Sequence, residues 1–535
     1  MKQTLLAAAA LAALAANAEI PHLKKTGNAT QLIVDGKPFI MIAGEAHNSS
    51  ASDLAYMERV YAKFSQLNAN TFLAPIAWEQ FEPVEGKFDY TLIDGMVSQA
   101  RKHKQKVVVL WFGSWKNGVS SYVPEWVKKD GKRFPEARNK AGNYKTLLST
   151  LSEANRDADA KAFAALMRRI KKIDAGRNTV IMVQVQNEIG IRPELRDYAQ
   201  DATAAYQGNV PKTLMDYLSA NKATLHPELL KRWGASDFKM DGSWEEVFGG
   251  FPGADEVFSV WHYARYVEAI TAAGKKEYPL PMFVNAWLPL PDGPLGNYPC
   301  GGPVEHMLDV WRVAAPSIDF FAPDIYLGTF KEICEQYTRN GNPLMIPEHS
   351  RDDDVAAKAY WTFGRHHGLC FAPFGFESFA TNHPIVAAYG ILNQLMPLIG
   401  AVQGTDRLSA VFCQSNEQPT QERVRMGEWT LLARAEAGKK EHNGRGGAII
   451  IQTGDDEFIV AGHDFTVQVE GNQRILSVEM GSVVNGVFKP ELRLNGDESG
   501  ANWQVRHPAF ATNFFLEPTR PRIFRFRLFR YGHTF

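Results

Sequence analysis

Eight short, nearly continuous apolar runs recur along the first three quarters of the chain: Phe39–Ala43, Thr71–Pro75, Val107–Phe112, Val180–Gln186, Pro281–Ala286, Phe320–Pro323, Leu344–Pro347 and Leu369–Phe374. They do not alternate polar with apolar, which suits parallel strands buried on both faces. Between them lie stretches with helical spacing. Asp53–Leu67 carries Leu54, Met57, Val60, Tyr61 and Phe64 at i, i+3 and i+4 intervals, and Asp159–Ile173 and Val257–Ala273 read the same way. Eight strands alternating with helices predict a (β/α)8 TIM barrel. A doubly wound open sheet would place G-x-G-x-x-G after a strand, and no strand here is followed by one.

The pattern changes after about residue 400, where strand-like runs separated by Gly, Asp and Asn turns take over. They are Gly447–Gln452, Glu457–Ala461, Phe465–Glu470, Arg474–Met480 and Arg522–Phe529, the last with a period near two. The expected organisation is a signal peptide over residues 1–18, a catalytic barrel over 19–395 and a C-terminal antiparallel, sandwich-like β-domain over 396–535.

The N-terminus has Lys2, an apolar run Leu5–Ala16 and the small-residue site Ala16-Asn17-Ala18. This predicts cleavage after Ala18 and export to periplasm or medium. With no cysteine at that site and no later run of about 18 uninterrupted apolar residues, no lipid or membrane anchor is expected. The net charge of −1 gives no basis for a nucleic-acid partner. Cys300, Cys334, Cys370 and Cys413 are widely spaced and form no C-x-x-C, which argues against zinc. Disulfides and free buried thiols both remain compatible with the spacing. The 12 Trp, 17 Tyr and 32 Phe offer flat faces on which sugars or core neighbours stack equally well.

Two strand ends carry the sharpest chemistry. Val183-Gln184-Val185-Gln186-Asn187-Glu188 ends a buried strand in Asn-Glu, and Leu344-Met345-Ile346-Pro347-Glu348 ends another in a carboxylate. These are the fourth and seventh strands, on opposite sides of an eight-strand ring, and barrel active sites sit at this mouth. Two facing carboxylates are what glycoside hydrolysis needs: one protonates the leaving oxygen, the other attacks the anomeric carbon or activates water.

Asn187-Glu188 and Glu348 so placed resemble the catalytic pair of clan A glycoside hydrolases, and the chain most resembles bacterial β-galactosidases of glycoside hydrolase family 35, in a divergent branch. The similarity runs through Gly36-Lys37-Pro38-Phe39, Gly44-Glu45-x-His47, Leu67-Asn68-Ala69-Asn70-Thr71, the block Trp78-x-x-x-Glu82-Pro83-x-x-Gly86-x-Phe88-x-Tyr90, Pro124-x-Trp126-Val127, Gln186-Asn187-Glu188 and Glu348. The resemblance implies Glu188 as acid/base, Glu348 as nucleophile, Asn187 on the sugar 2-hydroxyl, retention of configuration and no metal or organic cofactor. The chain departs from the family in two places. The Tyr and Asn of its T-Y-x-x-W-N-x-H-E-P block are absent from Thr71–Pro83. Where the family has Ala-Glu after the third strand, with a Glu that helps hold galactose, Trp111-Phe112-Gly113-Ser114-Trp115-Lys116 has no acid. The segment is closer to family 42 galactosidases and to a divergent bacterial branch of family 35.

Other residues at the mouth are candidates for substrate contact. Tyr326 follows the sixth strand and is placed to donate to the nucleophile. Trp111 and Trp115 suit a sugar-stacking wall or the core, and Asn285 and Trp287 follow the fifth strand. Glu45 with His47 suits a hydroxyl contact or a structural pair, and Glu377 follows the eighth strand. Glu82 and Glu85 suit loop fixation better than chemistry. The expected activity is exo-hydrolysis of terminal β-galactosides of oligo- or polysaccharides, among them plant cell-wall side chains. The alternatives are another clan A β-glycosidase (a glucosidase, arabinosidase or endo-glycanase) and a non-catalytic carbohydrate-binding protein. Oligomeric state is not legible.

Overall fold

The computed structural model describes residues 19–413, 421–434, 446–469, 471–495, 513–516 and 521–532. The expected signal peptide and its cleavage point at Ala18 lie outside the described residues. All eight apolar runs fall on strands of one parallel sheet: Met41–Glu45, Thr71–Ala77, Lys106–Lys116, Val180–Asn187, Met282–Trp287, Phe320–Ile325, a seventh in two pieces (Met345–Ile346 and Glu348–His349), and Cys370–Phe371. The split falls at Pro347, which has no N–H to give to a ladder. The first piece of the seventh strand begins the sheet order beside the eighth strand, and the second piece ends it beside the sixth. The ring is thereby nearly closed, a TIM barrel. The second strand is buried at every position, as is the fourth, as a sheet covered on both faces requires.

The ladder between the third and fourth strands breaks after Trp111 pairs with Val185 and resumes with Lys116 opposite Asn187. The intervening residues are looped out of register, a bulge of the kind that re-aims side chains at barrel rims.

The chain divides into two compact units. The first holds the residues up to His22, Glu45–Ala62 and Thr71–Glu348; the second holds Leu23–Gly44, Lys63–Asn70 and His349–Phe535. In the first, the helix Gly253–Glu277 packs along Glu153–Asp174. Gly274 permits the approach, since a Cβ there would lie 2.2 Å from a ring carbon of Phe163. Four shorter helices, Gln200–Gln207, Lys212–Ala220, Pro227–Gly234 and Trp244–Phe248, lengthen the connection after the fourth strand.

In the second unit a six-stranded and a four-stranded antiparallel sheet share a core that includes Leu431, Ile450, Val460, Val467, Phe524 and Phe526. The period-two segment Arg522–Arg530 is a strand that buries Phe524, Phe526 and Leu528, while Arg525 pairs with Glu479 and Arg527 with Asp456. Helix Val355–Arg365 packs on Leu408–Phe412 and Gly447–Gln452. Helix Pro384–Val402 is long and apolar enough to cross a membrane by length and composition, but Asn393 and Gln394 interrupt it and over half of it is buried within the protein. Its Tyr389 hydroxyl lies 2.7 Å from the carbonyl of Ala43 and 2.9 Å from that of Phe371. All four cysteines are buried and outside any disulfide.

Candidate active site

The end of the fourth strand is held in a conformation its residues resist. Gln186 and Glu188 have φ of 68° and 43°, left-handed values that non-glycine residues adopt at a cost and that persist only where surroundings over-determine them. Those surroundings are polar and buried. The Gln186 amide accepts from Trp115 N at 3.0 Å and donates to Asp159 Oδ2 at 2.7 Å. Asp159 also accepts from Trp111 Nε1 (2.8 Å), Ser114 N (2.9 Å) and Ser114 Oγ (2.6 Å). Burial raises the Asp159 carboxyl above its usual range, and these hydrogen bonds oppose the rise. From the fifth strand, Asn285 Oδ1 accepts from the backbone N–H of Glu188 at 3.0 Å.

Within this frame one oxygen each of Glu188, Asp324 and Glu348 lie within 4.8 Å of one another, all three residues buried. Both oxygens of Glu348 accept hydrogen bonds. Asn187 Nδ2 reaches Oε1 at 3.1 Å and the Tyr326 hydroxyl reaches Oε2 at 2.7 Å. Asn285 Nδ2 donates to Asp324 Oδ2 at 2.7 Å and stands 3.5 Å from Glu348 Oε1. On its other side Asn187 Oδ1 accepts from Lys116 Nζ at 3.0 Å. The Asn187 amide thus bridges a cation and a carboxylate, and its orientation follows from both.

Burial and neighbouring charge raise two of these acids. Burial, then the charge of Glu348, pushes Glu188 up to about 8, against the pull of Lys116, a hydrogen bond with Asp324, and Arg192. Burial and the charges of Glu348, Glu188 and Glu45 hold Asp324 well above the carboxylate range. Burial and the same neighbourhood raise the Tyr326 phenol, so it stays a donor. At neutral pH the cluster therefore offers protonated groups at Glu188 and Asp324 beside a hydrogen-bonded Glu348. Among the described residues these three also have spacing compatible with ligating a cation. Two acids holding protons suit proton transfer better.

Asp324 and Lys116 escape the sequence reading. Each had a signal: a charged residue inside an otherwise apolar barrel strand costs free energy unless something nearby compensates it. Two expected sugar contacts are corrected. Trp111 and Trp115 are wholly buried, with Trp111 packed on Phe81 and Phe163, and Trp115 on Tyr263 and Tyr266. Their indole N–H groups go to Asp159 and the carbonyl of Leu148. They form core rather than a stacking wall, because the bulge turns this strand end into the protein. Asn285 is fully buried and engaged with Glu188 and Asp324. Trp287 is half-buried with the Arg192 guanidinium stacked on it at 4.7 Å. Glu45 is fully buried. Glu377 lies half-buried in the turn Phe376–Ser378 of the second unit. The Trp78…Gly86 block is a loop clasp: Glu82 accepts from Trp78 Nε1 at 2.8 Å and Gly86 N at 2.7 Å, and its carbonyl accepts from Trp126 Nε1.

Residues 48–248 match the family profile of glycoside hydrolase family 42, described as beta-galactosidase. Residues 385–506 match a domain of unknown function (DUF5597). The profile matched is that of family 42 rather than the expected family 35. Solved structures similar to this chain include beta-galactosidases from Bacillus circulans sp. alkalophilus (15% identity, 67% of this chain and 57% of that one, TM-score 0.45), Marinomonas ef1 (14%, 67% and 60%, 0.45) and Halorubrum lacusprofundi (13%, 66% and 58%, 0.43). The chain covers less than two thirds of the length of each. No curated protein matches it by sequence.

Proposed function

We propose that this chain is a retaining exo-β-galactosidase that removes terminal β-galactosyl units from oligo- or polysaccharides, such as plant cell-wall side chains, after export and signal cleavage near Ala18. The supporting observation is the buried Glu188–Glu348 pair, with one oxygen of each within 4.8 Å and the Glu188 carboxyl raised by burial and by the charge of Glu348. Carboxyl groups about 5–5.5 Å apart belong to double displacement, whereas single displacement needs about 6.5–9.5 Å to fit a water. In the first step a Glu348 oxygen bonds to the anomeric carbon while Glu188 gives its proton to the glycosidic oxygen, which leaves with the bonding electrons. In the second, Glu188 takes a proton from water, and the water oxygen displaces Glu348. Two inversions return the β-anomer. Asn187 keeps one amide hydrogen for the sugar 2-hydroxyl, and Asp324 acts as a neutral hydrogen-bond donor within the cluster.

Galactose rests on the matched family, and the absence of an acid at the end of the third strand supports a second reading, another retaining clan A β-glycosidase. The deciding experiment is a panel of p-nitrophenyl β-glycosides with the first-formed sugar followed by proton NMR. The expected result is turnover of the β-galactoside with the β-anomer appearing first. An α-anomer first would sink the double displacement. Turnover of a different glycoside would keep the mechanism and move the sugar. Binding of glycans with no turnover would return the chain to a carbohydrate-binding role.

The pH dependence follows from Glu188. Its proton must be present when the leaving group departs, so kcat/KM holds below the raised pKa and falls as pH rises through about 8. A pH–rate profile with an alkaline limb near that of an ordinary carboxylate would contradict the assignment.

A further inference from the structure

A polar cleft of about 580 Å³ is lined by Asn117, Asn139, Lys145, Arg192 and Trp287 with their neighbours, and no Asp or Glu lines it. It adjoins Glu188. The Gly118 N–H in its wall donates to the carbonyl of Glu188 at 3.0 Å, and Arg192 lies four residues further along the chain. The acid/base protonates the glycosidic oxygen, so the leaving sugar must sit on its side of the scissile bond.

The two cations in the cleft differ. Lys145 is compensated by Glu194 at 2.8 Å, and it also bonds the Arg192 carbonyl at 2.8 Å, which pins the backbone there. The exposed guanidinium of Arg192 lies 4.7 Å above the Trp287 ring and has no carboxylate within ion-pair distance among the described residues. We propose that Arg192, stacked on Trp287, is the anchor of a leaving-group subsite that takes a sugar bearing a carboxylate, a uronosyl residue; this rests on the reading of Glu188 as acid/base. The planar guanidinium suits bidentate recognition of a carboxylate, and the indole supports it from below.

A second line of argument is electrostatic. The charge of Arg192 pulls the Glu188 carboxyl down, against the protonation the reaction needs. A bound carboxylate neutralises that charge, so the anionic leaving group restores the acid that must release it.

The test uses Glu348→Gln protein, which holds substrate without turning it over, and two disaccharides: a β-galactosyl glucuronate and the matching β-galactosyl glucose. Calorimetry is expected to give about tenfold tighter binding of the uronate, within the range of a charge-assisted hydrogen bond. The preference should shrink with added salt and vanish in the Arg192→Gln, Glu348→Gln double variant. In the wild type the alkaline limb should lie at higher pH for the uronate than for the glucose compound. Equal affinities, or a preference that survives Arg192→Gln, would overturn the proposal. Failure of the catalytic reading shows separately, as no hydrolysis of any aryl β-glycoside by the wild type.

Discussion

Replacing Glu348 by Gln is expected to lower kcat on p-nitrophenyl β-galactoside by about 10³-fold or more, the scale of losing a covalent nucleophile. The amide is nearly isosteric, so the barrel should survive, and an unchanged urea midpoint will show that it has. The loss has two sources. An amide oxygen attacks the anomeric carbon poorly. In addition, an NH2 at the Oε1 position faces the Asn187 Nδ2 donor at 3.1 Å and cannot bond it, while one at the Oε2 position faces the Tyr326 hydroxyl at 2.7 Å, which must turn to accept rather than donate. Activity within tenfold of wild type would remove Glu348 from the mechanism and point to another group at the mouth.

The largest stability effect is expected away from the chemistry. Glu256, on helix Gly253–Glu277, is wholly buried and bonded to Arg232 at 2.5 Å, to His306 Nε2 at 3.0 Å and to the Tyr298 hydroxyl. Glu256→Ala removes the buried carboxylate that Arg232 and His306 share and leaves them only the more exposed Glu228 at 3.2 Å and Glu305 at 3.7 Å, a change expected to cost about 3 kcal/mol, the low end for breaking a buried pair. Urea unfolding will measure it, and a loss below about 1 kcal/mol, the scale of an exposed ion pair, would show the quartet to be solvated.

The pH dependence of that loss can be worked out. Burial disfavours charge on both partners, yet Glu256 ends at about 2 because His306 and Arg232 outweigh burial, and His306 ends at about 9 because Glu256 does. The depressed acid stabilises the fold above its ordinary value of 4.5, and that contribution fades as pH falls toward 2. The elevated base stabilises below its ordinary 6.5, and its contribution fades as pH rises through 9. The gap between wild type and variant is therefore widest between pH 4.5 and 6.5.

Burial patterning explains what the sequence discloses. A barrel strand covered on both faces must be apolar throughout, so eight such runs were visible, and the two that end in carboxylates stood out because charge at such a boundary needs a purpose. Trp111 and Trp115 leave wall and core both open because a run of aromatics at a strand end reads the same whether the chain continues toward the mouth or turns inward. The bulge between Trp111 and Lys116 decides between these, and it depends on Asp159, forty-odd residues away on a helix. Asp324 and Lys116 were obscured for the same reason, since their significance lies in neighbours from other strands. The extra helices after the fourth strand carry helical periodicity but no mark of the Glu256 quartet, whose four members are scattered from Arg232 to His306.

The amide of Asn285 bears on how reproducible the stereochemistry is. It grips the backbone of Glu188 with its oxygen and, with its nitrogen, Asp324, standing 3.5 Å from Glu348. A closed ring of strands breathes, and its circumference is a poor ruler for a distance on which the choice between two reaction outcomes depends. Here a single planar group only a few atoms across ties the Glu188 backbone to Asp324 beside Glu348, so in the proposed mechanism the spacing of the strand ends that carry the two carboxyls inherits the stiffness of an amide rather than the compliance of the barrel.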